Sequence, residues 1–202
     1  MVELAVRRRL PKAEREQQLV EVAQAVFAEL GFRAASMDDI AQRAGVTKPI
    51  LYDHFGSKDG LIAACIRRAG AQLGAEIAAA VDRAPGPADV LAAGFGGFFT
   101  FIESHGQGWF MLIGDSALIG EAAEALEGIR RQQAAYVAER LAAEFPALDT
   151  DELEAFSEAI IGACERLALW RRNRPGVSVA AATANMMSLV WGGLASLKET
   201  PS

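Results

Sequence analysis

Reactive and metal-ligating side chains are scarce in this chain of 202 residues, which holds two cysteines and two histidines. Cys65 and Cys164 stand far apart with no histidine pair beside them. That excludes a disulfide framework and a zinc site, and it suits a reducing compartment. Catalytic motifs are missing as well: there is no GxSxG elbow, no phosphate loop ending in GK[ST], no HExxH and no CxxC. His54 and His105 are too widely separated to suggest an acid–base pair, so no enzyme, cofactor or metal is expected. Proline is rare, at 7 residues, and hydrophobic residues make up 51%, which favours packed helices over disorder. The basic start continues as LPKAEREQQ instead of an apolar stretch, so no secretory leader is expected.

Charge is absent over one long stretch, the 23 residues from Pro175 to Leu197, which is long enough to cross a bilayer. Ser178, Asn185, Ser188, Gly192 and Ser196 fall on one helical stripe of it, and such polar groups are costly in lipid without partners. A helix buried by its own chain and by a second subunit accounts for the same composition. A membrane-associated helical interaction protein is the remote alternative. Net charge is −6, at first sight unsuited to nucleic acid. Its distribution changes that reading. Residues 1–60 hold nine charges of each sign, leaving 11 basic and 17 acidic for 61–202. Arg7, Arg8, Arg9 and Lys12 oppose only Glu3. This basic arm is either a frayed terminus or a segment that reaches phosphates or a minor groove.

The most informative stretch is SMDDIAQRAGVTKPILYDHFGSK, from Ser36 to Lys58. Ser36 with Asp39 three residues on is a capping-box variant that opens a helix. Met37, Ile40, Ala41 and Ala44 then repeat at helical spacing. Gly45 ends that helix, because the exit requires a left-handed conformation that glycine adopts without Cβ strain. Thr47 can cap a second helix, with Pro49 in its first turn, where a missing N–H has no intrahelical partner to lose. With Ile50, Leu51 and Phe55 facing inward, Thr47, Lys48, Pro49, Tyr52, Asp53 and His54 are left outward. The spacing predicts a helix-turn-helix. Lys48, Tyr52 and Lys58 suit phosphate oxygens, whereas Thr47, Pro49 and His54 are short or flat enough to approach base edges. The same turn also serves in helical bundles that bind no nucleic acid.

The run GFRAASMDDIAQRAGVTKPILYDHFGSKDGLI, Gly31 to Ile62, closely resembles the N-terminal domain of the tetracycline-repressor (TetR) family of bacterial transcription regulators. The likeness is carried by Gly31-Phe32 closing the first helix, Ile40-Ala41 in the second, Gly45-Val46 at the turn, Leu51-Tyr52 and Phe55 in the recognition helix, and Lys58 opening the fourth. It covers the first third of the chain, and the remainder resembles the family in length and helix content only. The resemblance implies an all-α protein of about nine helices. Residues 1–60 would form a helix-turn-helix DNA-binding domain, and 61–202 a ligand-binding and dimerisation domain. It places Arg33, Ser36, Thr47, Lys48, Pro49, Tyr52, Asp53, His54 and Lys58 at the DNA, Asp53 being a position of free choice in the pattern.

In chain order, a first helix from about Lys12 to Leu30 is expected to support the helix-turn-helix. Ser57 caps a long fourth helix that reaches about Arg83, and Pro85-Gly86-Pro87 breaks the chain there. A fifth helix, Ala88 to His105, interleaves four phenylalanines with Gly94, Gly96 and Gly97. These glycines, each costing about 1 kcal/mol against alanine, serve either close helix packing or space for a ligand. His105 is expected at the surface, at the helix terminus. Gly106 to Gly114 is expected as a brief sixth helix over the core. A seventh, capped by Asp115 or Ser116, should run to about Phe145 with the polar Gln133 on its apolar stripe and Tyr136 beside it. An eighth helix follows Asp149 or Thr150, and a ninth runs from about Val177 to Leu197. The candidate pocket wall comprises Phe95, Phe98, Phe99, Ile102, Trp109, Ile113, Gln133, Tyr136 and Cys164. A homodimer through the last two helices is favoured by the resemblance, with Phe156, Ile160, Leu167, Ala182, Met186, Leu189 and Gly193 at the interface.

The reading is a cytoplasmic, nucleoid-associated repressor that binds a near-palindromic double-stranded DNA operator and is released by a hydrophobic or aromatic small molecule. An activator, or a regulator that answers to no ligand, is the alternative within the same family.

Overall fold

The computed structural model describes residues 11–114 and 118–198, with the backbone alone for Pro87, 106–114 and 195–198. Among the described residues all regular structure is helical: α1 (Lys12–Leu30), α2 (Met37–Ala44), α3 (Lys48–Phe55), α4 (Lys58–Val81), α5 (Pro87–Gly114), α6 (Gly120–Glu144), α7 (Thr150–Arg172) and α8 (Val179–Lys198). The chain divides into two compact units, one ending at Cys65 and one beginning at Ile66, so the division falls inside α4. None of the described helices is long and apolar enough to cross a membrane.

In the first unit, α1 buries Leu19, Val20, Ala23, Val26 and Phe27. Phe32, just beyond the helix end, sets its ring 4.9 Å from that of Phe27. Gly31 makes this return possible at φ +85°, donating its N–H to Phe27 O at 2.8 Å. The next helix, α2, packs between α1 and α3. It is capped as expected. The Ser36 N–H donates to Asp39 Oδ2 at 2.9 Å, and the Asp39 N–H donates to Ser36 Oγ at 3.1 Å. Gly45 closes α2 in the left-handed region, φ +66°. Nothing lies within 4 Å of where its Cβ would stand, so backbone conformation, not space, demands glycine there.

The second unit is built on α5 packed along α8 and α6 packed along α7, with α7 also meeting α5 and α8. Asp149, not Thr150, caps α7, its carboxylate accepting the Glu152 N–H at 2.9 Å. Ser178 caps α8 through Ala181 N–H at 3.1 Å. Arg171 Nε donates to Val177 O at 2.7 Å, and the same guanidinium binds Glu103. The α7–α8 turn is thereby tied to α5.

The expected count of nine helices becomes eight, because the fifth and the brief sixth are one helix of 28 residues. Gly106 and Gly108 lower helix propensity but neither takes a positive φ. With no left-handed turn at either glycine and no proline following, nothing in the backbone ends the helix there. The next helix, α6, begins later than expected. Ile119 stands at its N-cap without a side-chain bond, and the anticipated caps Asp115 and Ser116 lie outside the described residues, as does the basic arm.

The three clustered glycines of α5 have three different neighbours. A Cβ on Gly97 would stand 3.4 Å from Ile77 Cα, one on Gly96 3.8 Å from Thr183 Oγ1 of α8, and one on Gly94 3.9 Å from Val81. Gly97 therefore serves the close approach of α5 to α4. Two stability outcomes follow from these positions. Gly45→Ala, forced to a positive φ, lowers the unfolding free energy by about 1 kcal/mol. Gly97→Leu, driven against the α4 backbone, lowers it by about 1–3 kcal/mol. Urea titration of each variant beside the wild-type protein measures both.

Candidate functional site

The outer surface of α3 follows from how that helix is anchored. Leu51 is fully buried, and Pro49 occupies the first turn. Thr47 has the extended backbone of an N-cap, but its side chain makes no capping bond. Its hydroxyl is thus not committed to the helix. Thr47, Pro49, Tyr52 and Asp53 are exposed, and Arg33 is exposed on the preceding loop, while Ser36 is half-buried and committed to its cap.

Two residues depart from the expected surface. His54 is half-buried, with its ring 5.8 Å from that of Phe55 and its Nδ1 enclosed without a hydrogen-bond partner. It does not stand outward beside Pro49, because its position is a full turn beyond Ile50 and rotates toward the core. Lys48 is held by Asp38 of α2, Nζ to Oδ2 at 2.8 Å. The hydrogen bond and charge of Asp38 push the Lys48 ammonium pKa above its ordinary value. Asp38 was not among the expected site residues. The only signal for it was its place in the exposed first turn of α2, ten residues before Lys48. Lys58 Nζ donates to Arg33 O at 3.4 Å, so the start of α4 is fastened to the loop after α1. The Asp39 carboxyl is held below the usual range by the hydroxyl and backbone N–H of Ser36.

A cavity of about 380 Å³ lies in the second unit, among α4, α5, α6 and α7. Small residues on α4, Ala71, Gly74, Ala75 and Ala78, leave the room for it, while at Gly70 the place of the missing Cβ is taken by the Ile129 side chain of α6. Val90, Leu91, Phe95 and Phe98 of α5 and Ile160 and Ile161 of α7 supply its hydrocarbon wall. From α6 come Gln133, Tyr136, Val137 and Arg140. Gln133 Nε2 and the Tyr136 hydroxyl are buried and lack a hydrogen-bond partner, an arrangement that is costly unless something fills the space.

Five of the expected wall residues meet at this cavity: Phe95, Phe98, Gln133, Tyr136 and Cys164. Phe99 and Ile102 do not line it. They are buried elsewhere, Ile102 one turn beyond Phe98 on the same face of α5 and Phe99 at the edge of that face, one turn beyond Phe95. The side chains of Trp109 and Ile113 lie outside the described residues. The small-residue face of α4 was missed, although Gly70 and Gly74 are four apart with alanines between their turns. Arg140 was missed too, one turn beyond Tyr136.

Cys164 is buried, and desolvation pushes its thiol pKa up to about 12. Beside it, Glu165 accepts two hydrogen bonds from Arg130 Nε, at 3.0 and 3.2 Å, and one from a terminal nitrogen at 2.8 Å. This raises the Arg130 pKa and joins α6 to α7.

The expected interface residues also separate. Leu189 is 70% exposed and Gly193 is exposed, with Phe156 and Leu167 half-buried. Ala182 and Met186 are buried in the protomer's own core, and Ile160 lines the cavity. These three turn inward because α8 packs on α5 and α7 lies over the cavity, leaving the opposite faces outside.

Comparison with known proteins places the chain in a family. Residues 19–65 match the family described as bacterial regulatory proteins, tetR family, and residues 87–193 match the tetracyclin repressor-like C-terminal domain. Along 96% of the chain and 89% of its relative, the sequence is 28% identical to the HTH-type transcriptional activator FasR of Mycolicibacterium smegmatis. It is 37% identical over 45% of the chain to the HTH-type transcriptional repressor KstR2 of Mycobacterium tuberculosis, covering 46% of that protein. Among solved structures, a TetR-like transcriptional regulator from Rhodococcus sp. RHA1 superposes with a TM-score of 0.70 at 34% identity, covering 93% of this chain and 99% of that one. FadR from Bacillus subtilis, crystallised with stearoyl-CoA, shares the fold with a TM-score of 0.74 at 15% identity, over 86% and 97% of the two chains. The chain belongs to the tetR family of bacterial regulatory proteins, DNA-binding regulators of transcription built on a helix-turn-helix.

Proposed function

We propose that this regulator is a homodimeric, ligand-responsive repressor. The observation that carries the reading is an apolar cavity with two enclosed, unpartnered polar groups in the same chain as the helix-turn-helix. Two α3 helices enter successive major grooves about 34–36 Å apart, on a near-palindromic operator. Thr47 and Pro49 face base edges, while Arg33, Tyr52 and Lys58 face the phosphate backbone. Asp53 sits beside them as the one carboxylate on that face. Lys48 reaches DNA after exchanging Asp38 for a phosphate or a base acceptor, and His54 supports the helix from behind. The exposed, uncharged strip of α8 around Leu189 and Gly193, with the half-buried Phe156 and Leu167 of α7, is the surface where a second copy packs.

A ligand that fits the cavity better in the state unsuited to the operator shifts the population toward release. Tight binding to both states shifts nothing. The hydrocarbon lining makes the effector predominantly apolar. A second reading, activation, is favoured by the name of FasR, whose likeness runs over 96% of the chain. Selection from a random duplex library, followed by in vitro transcription from the selected site, separates the two. Repression of transcription supports the first reading and stimulation the second. Failure to enrich a two-fold symmetric site sinks the dimeric operator.

Two outcomes are expected from variants. Tyr52→Ala weakens binding to all duplexes about equally, whereas Thr47→Ala changes base preference by about 1–3 kcal/mol. In the same salt titrations, Asp38→Asn releases the Lys48 ammonium and steepens the slope by about one. Gly74→Phe, introduced where a Cβ meets nothing within 4 Å, fills the cavity and abolishes ligand-induced release while operator affinity stays at the wild-type value. Operator-release assays with a responsive ligand check it.

A further inference from the structure

The polar groups that α6 presents to the cavity form a row. Gln133, Tyr136 and Arg140 are separated by three and four residues, which sets them along one helix face, and all three line the space. Each offers hydrogen-bond donors. Gln133 Nε2 and the Tyr136 hydroxyl are enclosed without partners. Arg140 is exposed at the edge of the cavity, with its guanidinium 5.0 Å from the centre of the Tyr136 ring and no carboxylate in ion-pair contact among the described residues.

The other charged group of the lining is Glu165. Arg130 grips it through both carboxylate oxygens, so its charge is already countered. The balance facing a ligand along α6 is therefore the enclosed donors of Gln133 and Tyr136, the exposed amide of Gln132 and the uncommitted guanidinium of Arg140, set against hydrocarbon from Val90, Leu91, Phe95, Phe98 and Ile160. A neutral apolar molecule would leave the enclosed donors unpaired, which is costly. A carboxylate would pair with them through charge-assisted bonds, shorter and stronger than neutral ones. At about 30 Å³ for each water-sized group, the 380 Å³ accommodates about a dozen non-hydrogen atoms.

We propose that the cavity binds an amphipathic carboxylic acid of about a dozen non-hydrogen atoms, its carboxylate among the donors of Arg140, Tyr136 and Gln133 and its apolar body against Phe95 and Phe98. The assignment rests on the cavity being the effector site. It adds the head group and fixes its place at the α6 edge.

Dodecanoic acid and dodecan-1-ol, equal in chain length and different in head group, are the probes, and titration calorimetry on the full chain is the measurement. The wild-type protein is expected to bind the acid at least tenfold tighter than the alcohol. Arg140→Gln, at an exposed position that leaves the melting temperature unchanged, abolishes that preference and keeps the affinity for the alcohol. Gln133→Leu weakens the acid and spares or improves the alcohol. Equal binding of acid and alcohol by the wild-type protein overturns the head-group assignment and leaves the cavity as an effector site. Equal loss of both probes in Arg140→Gln also overturns it, because the side chain then only shapes the wall. Binding of neither probe overturns the proposal. Where Gly74→Phe also leaves every operator-releasing ligand unaffected, the effector-site reading falls with it.

Discussion

Three glycines within four positions of α5, Gly94, Gly96 and Gly97, cost about 3 kcal/mol of helix propensity against alanine, a loss that burial of the neighbouring side chains offsets. Phe98, Phe99, Phe101 and Ile102 are each at most 4% exposed, and full burial of such side chains contributes about 1.5–3 kcal/mol apiece. The organisation of the second unit follows. The face bearing Gly96 is spent on α8, the face bearing Gly97 on α4, and the face bearing Gly94 and Phe95 on the cavity. A Cβ at each would just touch its neighbour, at 3.4–3.9 Å, so any side chain larger than alanine would hold the neighbours further off. The glycines thus make α5 depend on the packing that also encloses the ligand space.

What could be read in the sequence was mostly what is decided within a few residues. The Ser36–Asp39 box, the Gly45 turn and the Asp149 cap each satisfy backbone groups three or four positions away, and each is found where the pattern placed it. The tetR-family likeness lay in the same local region, where spacing itself is the motif. The choice left open at Gly97, the inward place of Ile160 and the ion pair of Lys48 could not be read for a shared reason. Their neighbours Ile77, the cavity and Asp38 belong to other helices, and helical periodicity says which residues share a face without saying what the face meets. The 28-residue length of α5 was hidden because glycine reads as a break until its backbone conformation is known.

The Lys48–Asp38 pair gives the first unit a built-in competitor for its own cation. Both groups are largely exposed, so the pair contributes little stability and exchanges readily for a phosphate. Its effect falls on discrimination. On the proposed reading, in which Lys48 meets the DNA, a contact that must displace an existing carboxylate would gain less at every phosphate, so non-specific binding would be weakened while a well-formed base contact could still win.

The Cys164 thiol, pushed to about 12 by burial in the cavity wall, makes that wall chemically passive. At neutral pH on the order of one thiol in 10⁵ is ionised, and the thiolate is the form that attacks electrophiles. An electrophilic compound that enters is held by shape and hydrogen bonding and leaves unaltered. On the proposed reading, occupancy would therefore follow the compound's concentration in both directions.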